Sequence, residues 1–503
     1  MPLSPKVYTW LCGLFASLGS IIFGYDLGVI AGWANANLQG LVVSILGALF
    51  FGMIPVAYAA DLLGRRVTIQ IGAGIYILGG ALQTGAQNMS MMLAGRFFAG
   101  FGIGIMSDLA PLYQAEIAHP SIRGRLTTLQ QFMLGIGAFV ASWIVRDTFG
   151  CSAGLSGQAA EWRVPLGIQI IPALPLISFI LLLPESPRWL AEKGRMDEGK
   201  FSPLLQAQAT LARLHAHGDI NDPFVVAQMK DIQADISKSK EIGEASWSEL
   251  FTVPSNFRRL SLGYILQFSV QMTGVSAIQY YSTTMGFSST RILLFQSINS
   301  IIALIGEAAC VIWIDATGRR IPMIVGNFVS GMSFVVGAIL MARWPGTVNN
   351  TWVFNFFFSA CIGPLSWAYP AEIYSTRTRA KATAITSSGS FIAQVTSPAF
   401  LHIGWNLNAN YSSDLVFAIC GHTNALFIWA FYPETTGRRL EEMDALFENA
   451  PLFVPGTPYA KVGDHRAAER ELRQGTIRPG DLTERTPHTH DEEDGKGSTE
   501  KIE

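Results

Sequence analysis

Charge is what this chain has least of. Of its 503 residues only 14% are Asp, Glu, Lys or Arg, while half are hydrophobic. A soluble domain carries about a quarter charged residues. The 35 basic and 37 acidic residues nearly cancel, so there is no basic surface to hold nucleic acid. Cysteine is scarce as well. The five, at 12, 151, 310, 361 and 420, follow no metal spacing, and four lie in apolar runs, which argues against a disulfide framework. Histidine is thin and dispersed, with His119, His215 and His217 in polar loops. No nucleophile–base set, phosphate loop or metal cluster is present. The expectation is a protein that is not an enzyme and needs no metal and no cofactor.

What the chain has in plenty is long apolar runs. Spanning a bilayer takes about 20 apolar residues, and twelve runs qualify: 8–33, 40–60, 67–87, 91–114, 126–148 and 164–183, then 260–285, 292–314, 321–342, 352–372, 382–404 and 413–432. Each is expected to be a helix, because lipid offers backbone groups no other partner. The first run holds Gly24 and Asp26 and no small-residue cleavage site follows it, so it is not read as a cleaved signal. These runs predict an all-α membrane protein of twelve transmembrane helices in two six-helix halves. The halves are 1–190 and 259–435. Between them lies a polar loop, 191–258, with a short amphipathic helix near 224–239. A polar tail, 436–503, reads as largely disordered.

Lys and Arg gather in cytoplasmic loops. With the N-terminus inside, only Arg146, Arg163, Arg291 and Arg343 of the 35 basic residues fall outside. Both termini and the central loop are therefore expected in the cytoplasm, with the plasma membrane as the expected site. The Asn-X-Ser/Thr sequons at Asn88, Asn349 and Asn410 fall in or beside loops this topology places outside.

Short charged words recur between the runs. "DLLGRR" at 61–66 returns as "DATGRR" at 315–320, "YQAEI" at 113–117 as "YPAEI" at 369–373, "SIRGR" at 121–125 as "STRTR" at 375–379, and "PESPR" at 184–188 as "PETTG" at 433–437. Two like halves are a transporter architecture. The words fall at the cytoplasmic helix ends. Asp61 and Glu116 can there reach Arg65, Arg66, Arg123 and Arg125, and Asp315 and Glu372 can reach Arg319, Arg320, Arg377 and Arg379. Glu185, Arg188 and Glu434 belong to the same set. Such pairs can clamp the halves together and release when they rock apart. Gly64 and Gly318 let the chain turn sharply.

The chain resembles the sugar porter family of the major facilitator superfamily, and its last third is most similar to fungal hexose and lactose-permease-like members. The matching words are "FGYDLGVI" (23–30), "DLLGRR", "GRFFAGFGIGIMSDLAPLYQAEI" (95–117), "RGR" (123–125), "PESPRWL" (184–190), "DATGRR", "GPLSWAYPAEIYSTRTRAKA" (363–382) and "PETTGRRLEEMD" (433–444). The resemblance implies a sugar site at mid-membrane between the halves. Gln131, Gln271 and Trp367 match sugar-binding positions, Phe23 an aromatic lining residue, and Tyr280 and Tyr281 a pair shaping the outer gate. Amides that donate and accept suit a ring of hydroxyls, and an indole face stacks on C–H groups. The chain departs from the family at Val270, where a Gln is usual, at Ser276 and Ala303, where Asn is usual, and at Phe391, where Trp is usual. Leu62 and Ala316 replace the Arg that follows each turn's acid. Asn299, one turn before Ala303 on the same face, can substitute for the missing Asn.

Asp26 lies inside the first apolar run, where a carboxylate costs about 2.5–3.5 kcal/mol. Proton-coupled members of the family carry an Asp there, with an Arg at the start of the fourth helix, here Arg96. The pair can exchange a proton as the halves rock, or it can be a permanently ionised structural pair. Glu307, inside the eighth run, is a second intramembrane acid, for a proton or for a structural hydrogen bond. The resemblance thus implies a proton-coupled symporter of a monosaccharide or disaccharide, working as a monomer in the bilayer. An uncoupled facilitator and a non-transporting sugar sensor remain the alternatives.

Overall fold

A computed structural model describes residues 4–32, 52, 54–119, 122–149, 159–193, 203–242, 246–275, 289–343, 351–375, 378–406, 412–438 and 442–460. Ser276, Tyr280, Tyr281, Arg377, Asn349 and Asn410 lie outside them. All regular structure among the described residues is helical. The first six spans are built from α1 (Pro5–Ala16) with α2 (Leu18–Gly32), α3 (Ile54–Leu63), α4 (Arg65–Thr84), α5 (Met89–Ile117), α6 (Arg123–Phe149), and α7 (Ala160–Ile168) with α8 (Ala173–Phe179). The connecting segment forms α9 (Pro187–Lys193), α10 (Pro203–His215) and α11 (Pro223–Ile242). The second set runs α12 (Pro254–Val270), α13 (Ser289–Thr317), α14 (Arg320–Arg343), α15 (Thr351–Phe357) with α16 (Gly363–Ile373), α17 (Arg379–Asn406) and α18 (Ser412–Phe431). A last helix, α19, covers Glu442–Asn449. Seven helical stretches among the described residues are long and apolar enough to cross a membrane.

The duplication read from the charged words is also a duplication of packing. In the first half α2 lies on α6 and α4 on α8; in the second, α12 lies on α17 and α14 on α18. Small residues permit the closest approaches. A Cβ at Gly79 of α4 would stand 2.3 Å from the Ala99 nitrogen of α5, the small-residue contact that lets membrane helices pack tightly. Large apolar side chains face outward instead: Leu78, Ile312, Ile339, Ile419 and Leu426 are all at least half exposed. In a bilayer that surface meets lipid, whereas in water so much apolar surface would drive association. The halves meet where α6 packs on α13 and α16, and where α3 and α5 pack on α17.

Two spans are broken in mid-course. After α12, residues 271–275 form a wide π-type turn in which Gly274 has φ of 98°. A second π-type turn, Phe358–Ile362, separates α15 from α16. Irregular backbone at membrane depth is tolerated where it lines a cavity.

The connecting segment holds more structure than the single helix expected near 224–239. Its helix α11 is longer, and α10 precedes it. Ala207, Met229, Ile232 and Ile236 bury a small core with Ala191 of α9. The tail also begins in order. Arg258 of α12 donates to the carbonyls of Ala450 (2.6 Å) and Pro451 (2.7 Å), and the Glu434 N–H donates to the Tyr459 carbonyl at 2.9 Å. These bonds satisfy carbonyls after α19 and tie residues 442–460 to the second half. Residues 461–503 lie outside the described part.

Candidate functional site

A cavity of about 240 Å³ lies between the halves. From the first half α2 contributes Phe23 and Leu27, and α6 contributes Gln131, Gly135 and Ser142. From the second come Gln267 and Gln271, then Gln296, Asn299 and Glu307 of α13, Asn355 of α15, Trp367 of α16, and Ser390 and Phe391 of α17. Both π-type turns border it, through Val275 and through Phe358 and Ser359. The walls are thus apolar and aromatic patches interleaved with neutral amides and hydroxyls.

Several amides on this wall are held by protein partners. Gln271 donates to the Ser390 hydroxyl at 3.1 Å. Gln267 donates to the Ser366 carbonyl at 2.8 Å, leaving its Oε1 buried with no protein partner. Asn355 donates to the Asn299 carbonyl at 2.6 Å, while Asn299 Oδ1 and Gln296 Nε2 have no protein partner. Gln131 Nε2 donates to Glu307 Oε1 at 3.2 Å. A buried amide left unpaired is costly, so these side chains gain if they turn toward a ligand that bears hydroxyls.

Of the sequence-derived residues, Phe23, Gln131, Gln271, Asn299 and Trp367 all reach this cavity. Phe391 faces Phe23 across the halves, with ring centroids 6.1 Å apart. Sequence reasoning missed Gln267, Gln296 and Asn355. Gln267 carried a usable signal, since it sits four residues before Gln271 and hence on the same helical face.

Asp26 and Arg96 meet, but behind the cavity wall rather than in it. Arg96 Nη1 lies 2.9 Å from Asp26 Oδ1, and both side chains are buried. Tyr76 of α4 is also buried beside the pair, its hydroxyl without a protein hydrogen-bond partner. Phe23 and Leu27, on the same helix as Asp26, do line the cavity, so a shift of α2 moves the acid and the wall together.

The charged words form two matching knots at one end of the bundle. In the first, Arg65 grips Glu116 through Nε (3.1 Å) and Nη2 (3.2 Å) and reaches Asp61 at 3.3 Å. Arg66 pairs with Glu185 at 3.1 Å, and Glu185 also accepts from the Arg65 backbone N–H at 3.2 Å. In the second, Arg319 grips Glu372 through Nη2 (2.7 Å) and Nε (3.2 Å) and lies 3.7 Å from Asp315. Glu434 accepts from the backbone N–H groups of Arg319 and Arg320, each at 3.0 Å. These carboxylates sit at the N-termini of α4 and α14, where the helix dipole favours them. Gly64 (φ 89°) and Gly318 (φ 83°) make both turns with left-handed backbone.

The knots were expected to clamp the halves together. Most of their bonds instead lie inside one half. The interface is crossed by Arg125 with Asp315, 3.2 Å apart, by Arg123 Nη1 donating to the Arg438 carbonyl at 3.3 Å, and by the charge of Arg379 acting on Glu116. Arg379 also donates to its neighbouring Tyr374 carbonyl at 2.9 Å. Arg188 is buried on α9 close to this end. Asn88 spends its side chain as a helix cap, accepting from the Met91 N–H at 2.8 Å.

Residues 12–447 match the sequence profile of the family described as "Sugar (and other) transporter". The chain is 30% identical over 521 residues to the "MFS glucose transporter mfs1" of Aspergillus flavus, covering 94% of this chain and 95% of that protein. It is 29% identical to the "MFS-type transporter criB" of Aspergillus cristatus, covering 87% and 93%. With the "High-affinity glucose transporter" of Kluyveromyces lactis it shares 27% identity, covering 91% and 89%. Among solved structures, the proton:xylose symporter XylE bound to 6-bromo-6-deoxy-D-glucose aligns with a TM-score of 0.74 at 24% identity, over 88% of this chain and 99% of that one. The inward-open form of XylE from E. coli aligns less closely, with a TM-score of 0.60 at 25% identity over 87% and 99%.

Proposed function

The chain belongs to the sugar transporter family of the major facilitator superfamily, and from that premise we propose that it carries a monosaccharide together with a proton across the plasma membrane by alternating access. The observation that carries this reading is the set of half-satisfied amides around the cavity: Gln267 Oε1, Asn299 Oδ1 and Gln296 Nε2. Hydroxyls both donate and accept, so a sugar suits these amides once their side chains turn toward it, and Trp367 and Phe23 offer faces for its C–H groups. The volume of about 240 Å³ falls below the roughly 300–1,000 Å³ of pockets for drug-sized ligands, which favours one ring over a disaccharide. The glucose and xylose named for the relatives are consistent with a hexose or pentose. Ser276, Tyr280 and Tyr281 join the site in this reading on the strength of the family resemblance.

Coupling is assigned to Asp26 and Arg96. While they touch, the guanidinium favours the ionised carboxylate against the cost of its burial. A shift of α2 against α5 within 1–190, made as that half rocks against 259–435, separates them, and the freed acid takes a proton. Proton movement down a membrane potential contributes about 2.3 kcal/mol per 100 mV. The two knots face the cytoplasm, with 191–258 and both termini on that side, and the protein works as a monomer. Arg125 with Asp315, together with Arg379 acting on Glu116, locks that side shut. The inner-closed knots fit the weaker likeness to the inward-open transporter.

The test is uptake from a panel of labelled sugars in cells lacking their own sugar carriers. Wild type should accumulate at least one monosaccharide against its gradient. Asp26→Asn should still exchange that sugar but fail to accumulate it. Equal accumulation by both proteins would overturn the coupling, and binding without flux would overturn transport.

A further inference from the structure

Glu307 is the one acid among the described residues lining the cavity, and no Lys, Arg or His lines it. The side chain is buried. Its Oε1 accepts from Gln131, while Oε2 has no protein partner. Oε2 rests in a notch that exists because residue 135 is glycine: a Cβ there would stand 1.8 Å from it. The carboxylate therefore has a built seat on α6 of the opposite half, with a neutral amide as its neighbour. An ionised carboxylate so placed is costly unless a positive partner arrives.

The charged and titratable groups on the elements packed against it are few. On α6, Arg125 lies six residues from Gln131 and Arg146 eleven from Gly135, about 9 and 16 Å along the helix. The turn after α15 brings the Cys361 thiol, α15 brings no titratable group, and α16 carries Tyr369 and, next to its last residue, Glu372. Its own helix carries Cys310 and, two turns on, Asp315. Oε2 presents no surface to the cavity. An ammonium group on a ligand cannot contact it, and the oxygen that faces the Gln131 amide, where an added proton would act on it, is Oε1.

We propose that Glu307 is a second proton-carrying group and a positioning residue, one that sets which end of the Gln131 amide faces the substrate. This rests on the sugar-carrier reading above. When Glu307 is ionised, it draws the Gln131 NH₂ and leaves the amide oxygen to the cavity. When a proton from the aqueous side binds the carboxylate, the new O–H donates to the Gln131 oxygen. The amide turns over and offers its NH₂ to a sugar oxygen. Protonation thereby converts Gln131 from an acceptor to a donor, and the sugar and the proton favour each other.

The experiment is equilibrium binding of D-glucose and D-xylose to the purified full chain, with no gradient, across pH. In wild type, affinity should weaken by about tenfold per pH unit as one proton leaves. Glu307→Gln should bind at all pH values as wild type does at acid pH, because the new amide donates permanently. Asp26→Asn should keep the slope assigned to Glu307. Glu307→Asp should keep a slope with a displaced midpoint. Retention of the full wild-type slope in Glu307→Gln would overturn the proposal. So would equal loss of binding at every pH in both Glu307 variants, which is a structural role only. A preference for 2-amino-2-deoxy-D-glucose that vanishes in Glu307→Gln would overturn it too, since the carboxylate would then be receiving an ammonium. If neither neutral sugar binds wild type, the sugar reading fails, and pH-difference infrared spectra still decide this one. A protonated-carboxyl band present in wild type and absent from Glu307→Gln supports it; no such difference overturns it.

Discussion

Arg125 Nε stands 3.2 Å from Asp315 Oδ2, joining the start of the fifth span to the end of the eighth across the interface between the halves. Gly124 beside it lies so close that a Cβ would come within 2.3 Å of both Asp315 and Arg319. The Arg125 side chain is 40% exposed, and exposed pairs contribute about 0–1 kcal/mol. Arg125→Gln should therefore shift the inner side toward open by no more than about fivefold, and Arg125→Asp, which adds repulsion from Asp315, by more. The swap Arg125→Asp with Asp315→Arg should restore most of the closed population. Distances between spin labels at Leu62→Cys and Ile312→Cys, both exposed, report it.

The two glycine turns are strained for any other residue. Gly318→Ala places a Cβ at φ 83° and 2.5 Å from Glu434 Oε2, and Gly64→Ala places one at φ 89° and 2.8 Å from Glu185 Oε2. Left-handed backbone alone costs about 1–2 kcal/mol. Gly218 has φ 88° with nothing within 4 Å, so Gly218→Ala should show that cost only. The knot variants should lose more, read as a larger drop in melting temperature in detergent.

His215 of α10 ties the connecting segment to the end of α5. Its ring nitrogens lie 3.2 Å from the Ile117 carbonyl and 3.2 Å from Gln228. Burial pushes its pKa down to about 4, below the ordinary 6.5. The neutral ring is favoured when docked, so the contribution is fully present above about pH 6.5 and is lost as pH falls toward 4. Protection of the α10 amides, taken relative to their intrinsic exchange rate at each pH, should fall over that window, and His215→Gln should remove most of the pH dependence.

Trp367 supplies the broadest aromatic face in the cavity. Trp367→Ala should weaken sugar binding by about tenfold, since an aromatic contact contributes about 0.5–1.5 kcal/mol beyond its area. Gln267→Ala should do the same although its sequence position drew no attention. Titration calorimetry with a transported sugar checks both.

The knots were legible in the sequence because charges at membrane ends must be paired, and the same spacing appears twice. That Glu116 and Glu372 pair with nearby arginines follows from residue type and position; that the partners are Arg65 and Arg319 among four candidates each does not. That their bonds stay mostly within one half was not legible, because it depends on how the helix ends turn. The cavity was partly legible. Gln131, Gln271 and Trp367 were legible through the resemblance to the sugar porter family, whereas Gln296 and the Glu307 seat on Gly135 depend on which face of α13 meets α6. The spans broken after Val270 and at Phe358 escaped notice because their composition remains apolar throughout. In α10, Ala207, Leu211 and Leu214 repeat at helical spacing and are buried, but the surrounding polar residues masked that stripe.

The most direct measurement is proton flux during sugar entry into sealed proteoliposomes holding the purified chain and a lumenal pH dye. Adding the transported sugar outside, with no imposed gradient, should acidify the lumen in step with sugar entry, and Asp26→Asn should abolish the acidification. Sugar entry at an unchanged lumenal pH would contradict proton-coupled transport.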